Sequence, residues 1–159
     1  MSAGAATQQV GDDTSIVHLL NQLYEVISFE EGDEPSWQGL KKLFSQQARI
    51  TRVTPDGTDF MDPSSFLAMT QNMLELGAYT SFYEFEVARR IERFGDVAQV
   101  WSLYETRRHR AAPAALGRGV NSIQLIREKG EWRVLGLLWD EAHADPNLDW
   151  GNVLSKGQV

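Results

Sequence analysis

A chain of 159 residues with a formal charge of −7 is the size of one ordinary domain, long enough to bury roughly two thirds of the surface its unfolded form exposes. Its acids are spread along the chain and no Lys/Arg cluster is longer than the RRHR at 107–110, which argues against a nucleic-acid or anionic-membrane partner, while the absence of cysteine excludes disulfides, thiolate nucleophiles and cysteine metal sites. The opening MSAGAATQQVGDDT has neither the basic nor the apolar region of a secretory signal, and no apolar run reaches membrane-spanning length, so a soluble, cytoplasmic protein with a loose tail over residues 1–13 is expected.

Ile16, Leu19, Leu20, Leu23 and Ile27 recur at helical spacing and predict a core-facing amphipathic helix from about Ser15 to Phe29, with Asp13, Thr14 or Ser15 as its N-cap. The segment EEGDEPS breaks that helix. Ser36 then caps a short helix, WQGLKKLF, whose Trp37, Leu40, Leu43 and Phe44 form one stripe. ARITRV at 48–53 reads as a strand, followed by a TPDG turn. Asp62-Pro63 marks a third helix start, a side-chain acceptor before a residue with preset φ. That helix runs to about Leu76, where Gly77 stops it, and Phe66, Met69, Met73 and Leu76 share one face as adaptable core.

Two hairpins follow. In the first, SFYEFEVARRIERFGDVAQVWSLYETRRHR, the chain turns at Phe94-Gly95, and strict alternation puts Tyr83, Phe85, Val87, Ser102 and Tyr104 on the face toward the helices. Glu84, Glu86, Trp101, Leu103, Glu105 and Arg107 then face outward with cross-strand ion pairs. AAPAALG at 111–117 is a loop into the second hairpin, RGVNSIQLIREKGEWRVLGLLWD, which turns at Lys129-Gly130 and sets Glu128 opposite Glu131. Its inner face reads Asn121, Ile123, Leu125, Trp132, Val134, Gly136, Leu138 and Asp140, and its outer face includes Leu135, Leu137 and Trp139. Residues 143–159 form a C-terminal tail with no sustained period. Three helices followed by four long antiparallel strands predict a single α+β domain over residues 14–142, an antiparallel sheet curled around the three helices. Apolar residues on both faces of the sheet call for a cover on the outer side, from a second subunit or a terminal segment.

This order of elements, closing on a Gly130-x-Trp132-Arg133-Val134 hairpin, resembles the nuclear transport factor 2-like superfamily of cone-shaped α+β proteins. The run Ser102-Leu103-Tyr104-Glu105, with Arg118 to Leu125 and Trp139-Asp140, is similar to an uncharacterised bacterial SnoaL-like branch, and the resemblance covers about residues 15–141. It implies a homodimer through the outer sheet face, which Trp101, Leu103, Leu135, Leu137 and Trp139 would suit, and a pocket between the helices and the concave sheet. On the face assignment above, that pocket is lined by Tyr83, Phe85, Ser102, Ile123 and Leu138, with His18 and Tyr24 from the first helix. Its polar groups are Asp140, as general acid or base, and Tyr104 and Asn121, as donors to a developing enolate or carbonyl oxygen. Each has a structural alternative: Asp140 also suits a pairing with Arg118, Asn121 a tie to the 111–117 loop, Tyr104 and Ser102 the core, and His18 a buried neutral imidazole.

No cofactor and no metal is expected, since His143 with Asp140, Glu141 and Asp145 matches no known ligand constellation. Because the fold hosts isomerases, dehydratases, cyclases and non-catalytic binders, the expectation is a protein that binds a small apolar molecule. Acid-base chemistry next to a carbonyl, as an isomerase, cyclase or dehydratase, is the first alternative. A dimeric scaffold without a ligand is the second.

Overall fold

A computed structural model describes residues 3–33, 37–77 and 81–156 of the chain. Helix α1 (Ala3–Ile27) buries Ile16, Leu19, Leu20 and Leu23, the stripe that its periodicity predicts. It starts at Ala3, not near Ser15: the residues expected as a loose tail are rich in Ala and Gln and hold no proline, so the helix extends through them and the proposed caps at 13–15 lie inside it. Helix α2 (Trp37–Lys42) is shorter than expected because Phe44 already opens a strand, and the Ser36 cap lies outside the described residues. Helix α3 (Pro63–Glu75) starts as read, with Asp62 Oδ1 accepting the Ser65 N–H at 2.7 Å. The C-terminal segment holds a 3₁₀ turn, Glu141–His143, and a short helix α4 (Trp150–Lys156).

The sheet has six strands, β1 (Phe44–Thr54), β2 (Gly57–Met61), β3 (Tyr83–Phe94), β4 (Val97–Arg107), β5 (Gly117–Glu128) and β6 (Glu131–Asp140), in the order β2-β1-β6-β5-β4-β3. All neighbours are antiparallel except β1 and β6, which run parallel. The TPDG segment closes the β1–β2 hairpin, so the strand read at 48–53 is longer than expected and gains a partner. Ile50, Val100, Ile123, Leu125 and Val134 on the concave face pack with Ile16, Leu20 and Leu40 of the helices into one core, each at most 3% exposed.

The turns place the hairpins. Lys129 and Gly130 have φ of 50° and 82°, the two positive values of a type I′ turn, and they pair Glu128 with Glu131 as the sequence predicts. In the β3–β4 hairpin the turn is Gly95-Asp96, one residue later than expected, which sets Ile91 opposite Val100 in place of Ala98; the shift is of two residues, so faces near this turn are unchanged. Farther along, both hairpins depart from strict alternation. The pairing passes from Ala88↔Leu103 to Glu86↔Tyr104, leaving Val87 unpaired, and from Leu125↔Val134 to Gln124↔Gly136, leaving Leu135 unpaired. Each is a β-bulge, the usual way for a sheet to gain the local twist that wrapping around helices requires.

A single inserted residue inverts every side chain beyond it. Tyr83 and Phe85 therefore lie on the convex face, stacked at 5.3 Å, with the guanidiniums of Arg110 and Arg107 at 5.0 and 5.3 Å from their rings. Leu138 and Asp140 also turn outward, Leu138 being 44% exposed and Asp140 Oδ2 lying 2.8 Å from His143 Nδ1. In exchange Glu84, Glu86, Leu137 and Trp139, all read as outward, turn to the concave side. Arg118 pairs with Glu105 at 2.8 Å, not with Asp140.

The bulge at Leu135 makes a clear prediction. Leu137→Ala empties a buried position and is expected to cost ~2–4 kcal/mol in urea unfolding, whereas Leu138→Ala at its exposed neighbour should stay within about 0.5 kcal/mol. The opposite order would restore strict alternation.

Candidate functional site

The concave side encloses a cavity of about 200 Å³. The α1 stripe continues past the core into Leu23 and Ile27, the α3 stripe supplies Phe66, Met69 and Met73, and β6 beyond its bulge adds Leu137 and Trp139. Phe66 and Trp139 meet edge to face at 6.2 Å. Phe29 and Phe82 complete the wall where a reciprocal backbone pair, at 2.8 and 2.9 Å, joins the end of α1 to the start of β3. Ser28 reinforces that junction by accepting the Glu84 N–H at 3.0 Å, which sets the Glu84 side chain at the cavity.

Polar groups converge inside this apolar shell. Tyr24, Glu84, Tyr104 and Asn121 line it, with Thr70, Arg52 and Glu141. Glu141 Oε1 accepts the Trp139 indole N–H at 3.1 Å and lies 3.9 Å from Arg52, whose guanidinium is held at 2.8 Å by Asp59. Burial, and then the charge of Glu141, push the Glu84 carboxyl up to about 8, so it is mostly a neutral acid at pH 7. No described residue hydrogen-bonds that carboxyl. Burial, followed by the charges of Glu84, Glu141 and Asp140, raises the Tyr104 phenol above its usual range, so it stays protonated and able to donate. Gly119 sits directly opposite: a Cβ there would lie 2.3 Å from the Tyr104 hydroxyl oxygen, so only glycine leaves the ring its place.

Behind the cavity wall runs a buried hydrogen-bonded chain. Ser102 Oγ donates to Glu86 Oε2, Glu86 is also paired with Arg89, Tyr24 Oη lies 2.6 Å from Ser102 Oγ, and Asn121 Nδ2 donates to Tyr24 Oη at 3.0 Å. Because the one hydroxyl hydrogen of Ser102 goes to Glu86, Tyr24 must be the donor to Ser102. Burial, ahead of the Glu84 charge, pushes the Tyr24 phenol well above its usual range, so that hydrogen stays in place.

Of the residues expected at the site, Tyr24, Tyr104 and Asn121 line the cavity. Ser102 is fully buried one bond behind it, Ile123 is core, 1% exposed, and His18 is exposed on α1, neither a buried imidazole nor part of the lining. Tyr83, Phe85, Leu138 and Asp140 are on the other face of the sheet. The acids that line the cavity are Glu84 and Glu141, and sequence reasoning missed both, together with Leu137, Trp139 and Arg52. In Tyr83-Glu84-Phe85-Glu86 the aromatics and acids alternate, so a strict period sends the aromatics inward. The one hint of a bulge is on β6, where Leu135, Leu137 and Leu138 make an apolar run of both parities. Among the described residues no three His, Asp or Glu side chains are grouped to hold a metal ion, and no helix is long and apolar enough to cross a membrane.

No protein-family model and no curated protein matches this sequence. Solved structures do. A variant of a function-unknown protein from Mycobacterium tuberculosis matches with a TM-score of 0.69 at 15% identity, over 94% of this chain and 84% of that one. A protein of unknown function with a cystatin-like fold from Nostoc punctiforme gives 0.66 at 14% identity, over 86% and 93%. An NTF2-like protein with a cystatin-like fold from Novosphingobium aromaticivorans gives 0.66 at 15% identity, over 86% of each chain. The chain therefore has the nuclear transport factor 2-like fold, a curved and mostly antiparallel sheet around helices.

Glu84 ties stability to pH. Near pH 4 both folded and unfolded chains hold its proton; as pH rises toward about 8 the unfolded chain releases it while the folded chain keeps it, so stability falls across that window and levels off above it. Glu84→Gln removes this dependence. Thermal unfolding is expected to show the variant gaining several degrees on the parent between pH 5 and pH 9, and curves that stay parallel would contradict the assignment.

Proposed function

We propose that this protein binds a small, largely apolar molecule carrying a carbonyl-type hydrogen-bond acceptor in the cavity between α1, α3 and the concave sheet. The observation that carries this reading is the presence of two donors, the neutral Glu84 carboxyl and the Tyr104 hydroxyl, in a largely apolar chamber of about 200 Å³. An engineered cavity of roughly 150 Å³ holds benzene, so the chamber matches one substituted ring. Such a make-up, apolar walls with a few placed polar groups, is usual for small-molecule sites.

A second reading, acid-base chemistry at the carbon next to a carbonyl, is favoured by one observation: Glu84 sits near the pH at which a group can both take and return a proton. Glu84 then replaces Asp140 as the candidate acid or base, and Tyr104 stabilises the developing oxyanion.

Acetophenone tests both. Calorimetry is expected to show binding that weakens as pH rises through about 8, as Glu84 becomes a carboxylate that no longer donates. In Glu84→Gln the affinity should be kept and the pH dependence lost. No binding of acetophenone or any co-purifying ligand by native mass spectrometry would remove the first reading. Enzyme-dependent exchange of its methyl protons in D₂O would support the second, and an unchanged proton signal would exclude it for this ketone.

A further inference from the structure

The buried chain behind the cavity has a direction, and the direction has a chemical consequence for what the cavity accepts. Ser102 donates to Glu86, so Tyr24 donates to Ser102; Tyr24 Oη in turn accepts from Asn121 Nδ2 at 3.0 Å. Every hydrogen in the chain points away from the cavity and toward the Glu86–Arg89 pair. The amide orientation of Asn121 is thereby set: one N–H of its NH₂ is committed to Tyr24, and its Oδ1, which no described residue bonds, is the acceptor it has for a ligand. The cavity therefore presents donors from Glu84 and Tyr104 and an acceptor from Asn121.

Resting on the binding reading above, we infer that the cavity selects rings bearing a hydrogen-bond donor, a hydroxyl or amine, as well as the carbonyl acceptor, and that Ser102 and Glu86 are positioning residues that set this preference without touching the ligand. A ligand that puts only apolar surface against Asn121 Oδ1 leaves a desolvated acceptor unpaired, and a ligand that puts an ether oxygen there sets two acceptors against each other. Ser102 is fully buried and the Glu86 side chain is 7% exposed, so neither is available to a ligand directly. Their influence runs through hydrogen-bond polarity alone.

The polarity can be reversed. In Glu86→Gln the single amide oxygen is drawn to Arg89 and the NH₂ is left facing Ser102. Ser102 then accepts from Gln and donates to Tyr24, Tyr24 donates to Asn121, and the Asn121 amide turns its oxygen toward Tyr24 and its NH₂ toward the cavity. The Asn121 edge of the site then offers a donor where it had offered an acceptor. A change of one atom, outside the cavity, would invert what it prefers.

The experiment is calorimetric binding of 2-, 3- and 4-hydroxyacetophenone, each beside its methyl ether, with acetophenone as the size control, to the full-length chain and to Glu86→Gln and Ser102→Ala, with thermal unfolding run on each variant. The parent is expected to bind the best-fitting hydroxy isomer about tenfold or more tighter than its ether. Glu86→Gln should abolish or reverse that ratio, and Ser102→Ala, which removes the acceptor for Tyr24, should bring it toward one should Glu86→Gln not fold. Acetophenone binding with no preference among hydroxy and methoxy isomers would overturn this inference and leave the binding reading standing. A preference that persists unchanged in a folded variant would also overturn it. Absence of binding by every compound would take away the binding reading itself, and this inference with it.

Discussion

Two unpaired residues, Val87 and Leu135, decide which side chains line the concave cavity. Side chains of a strand alternate with a period of two, so one extra residue exchanges the two faces for the rest of the strand. On β6 the exchange swaps Leu138 and Asp140 for Leu137 and Trp139, giving the cavity an apolar wall where strict pairing would have put a carboxylate. On β3 it does the reverse, moving Tyr83 and Phe85 out to stack under arginines and bringing Glu84 and Glu86 in. The chemistry of the site follows from these two local irregularities.

The two acids that enter meet different fates, and the contrast explains the electrostatics of the site. Glu86 arrives beside Arg89 and Ser102 and is satisfied as the end of a buried hydrogen-bonded chain that includes Tyr24 and Asn121. A connected polar network of this kind, satisfied among the described residues except at Asn121 Oδ1, holds a buried region in one arrangement. Glu84 meets no cation and no donor among the described residues, with Glu141 as its charged neighbour, so holding a proton is its cheapest state. The fold thus sets a committed network under the cavity floor and an uncommitted acid at its wall.

The legibility of the sequence follows the same division. The α1 stripe from Ile16 to Leu23, the Asp62-Pro63 helix start and the Lys129-Gly130 turn are local signals that nothing distant overrides, and they fix the α+β arrangement. Strands β4 and β5 contain no unpaired residue, so simple alternation puts Ser102, Tyr104, Asn121 and Ile123 on the concave face, where they lie. Strands β3 and β6 each contain one, and beyond it Tyr83, Phe85, Leu138 and Asp140 lie on the opposite face from the one alternation assigns. A bulge answers to the twist that the whole sheet needs around its helices, a tertiary demand that no window of neighbouring residues encodes. The N-terminal extension of α1 and the short β2 were also hidden, the first behind a polar composition and the second because GTDFM is five residues long with one buried side chain.

The most direct test of this account is a ¹³C NMR titration of the Glu84 side-chain carboxyl, assigned by loss of its signal in Glu84→Gln. With Val87 unpaired and Glu84 turned into the cavity, the resonance should titrate near pH 8. A midpoint in the ordinary glutamate range, roughly 4.3, would put the carboxyl in solvent on the convex face, return Tyr83 and Phe85 to the cavity, and contradict the arrangement on which the proposed site is built.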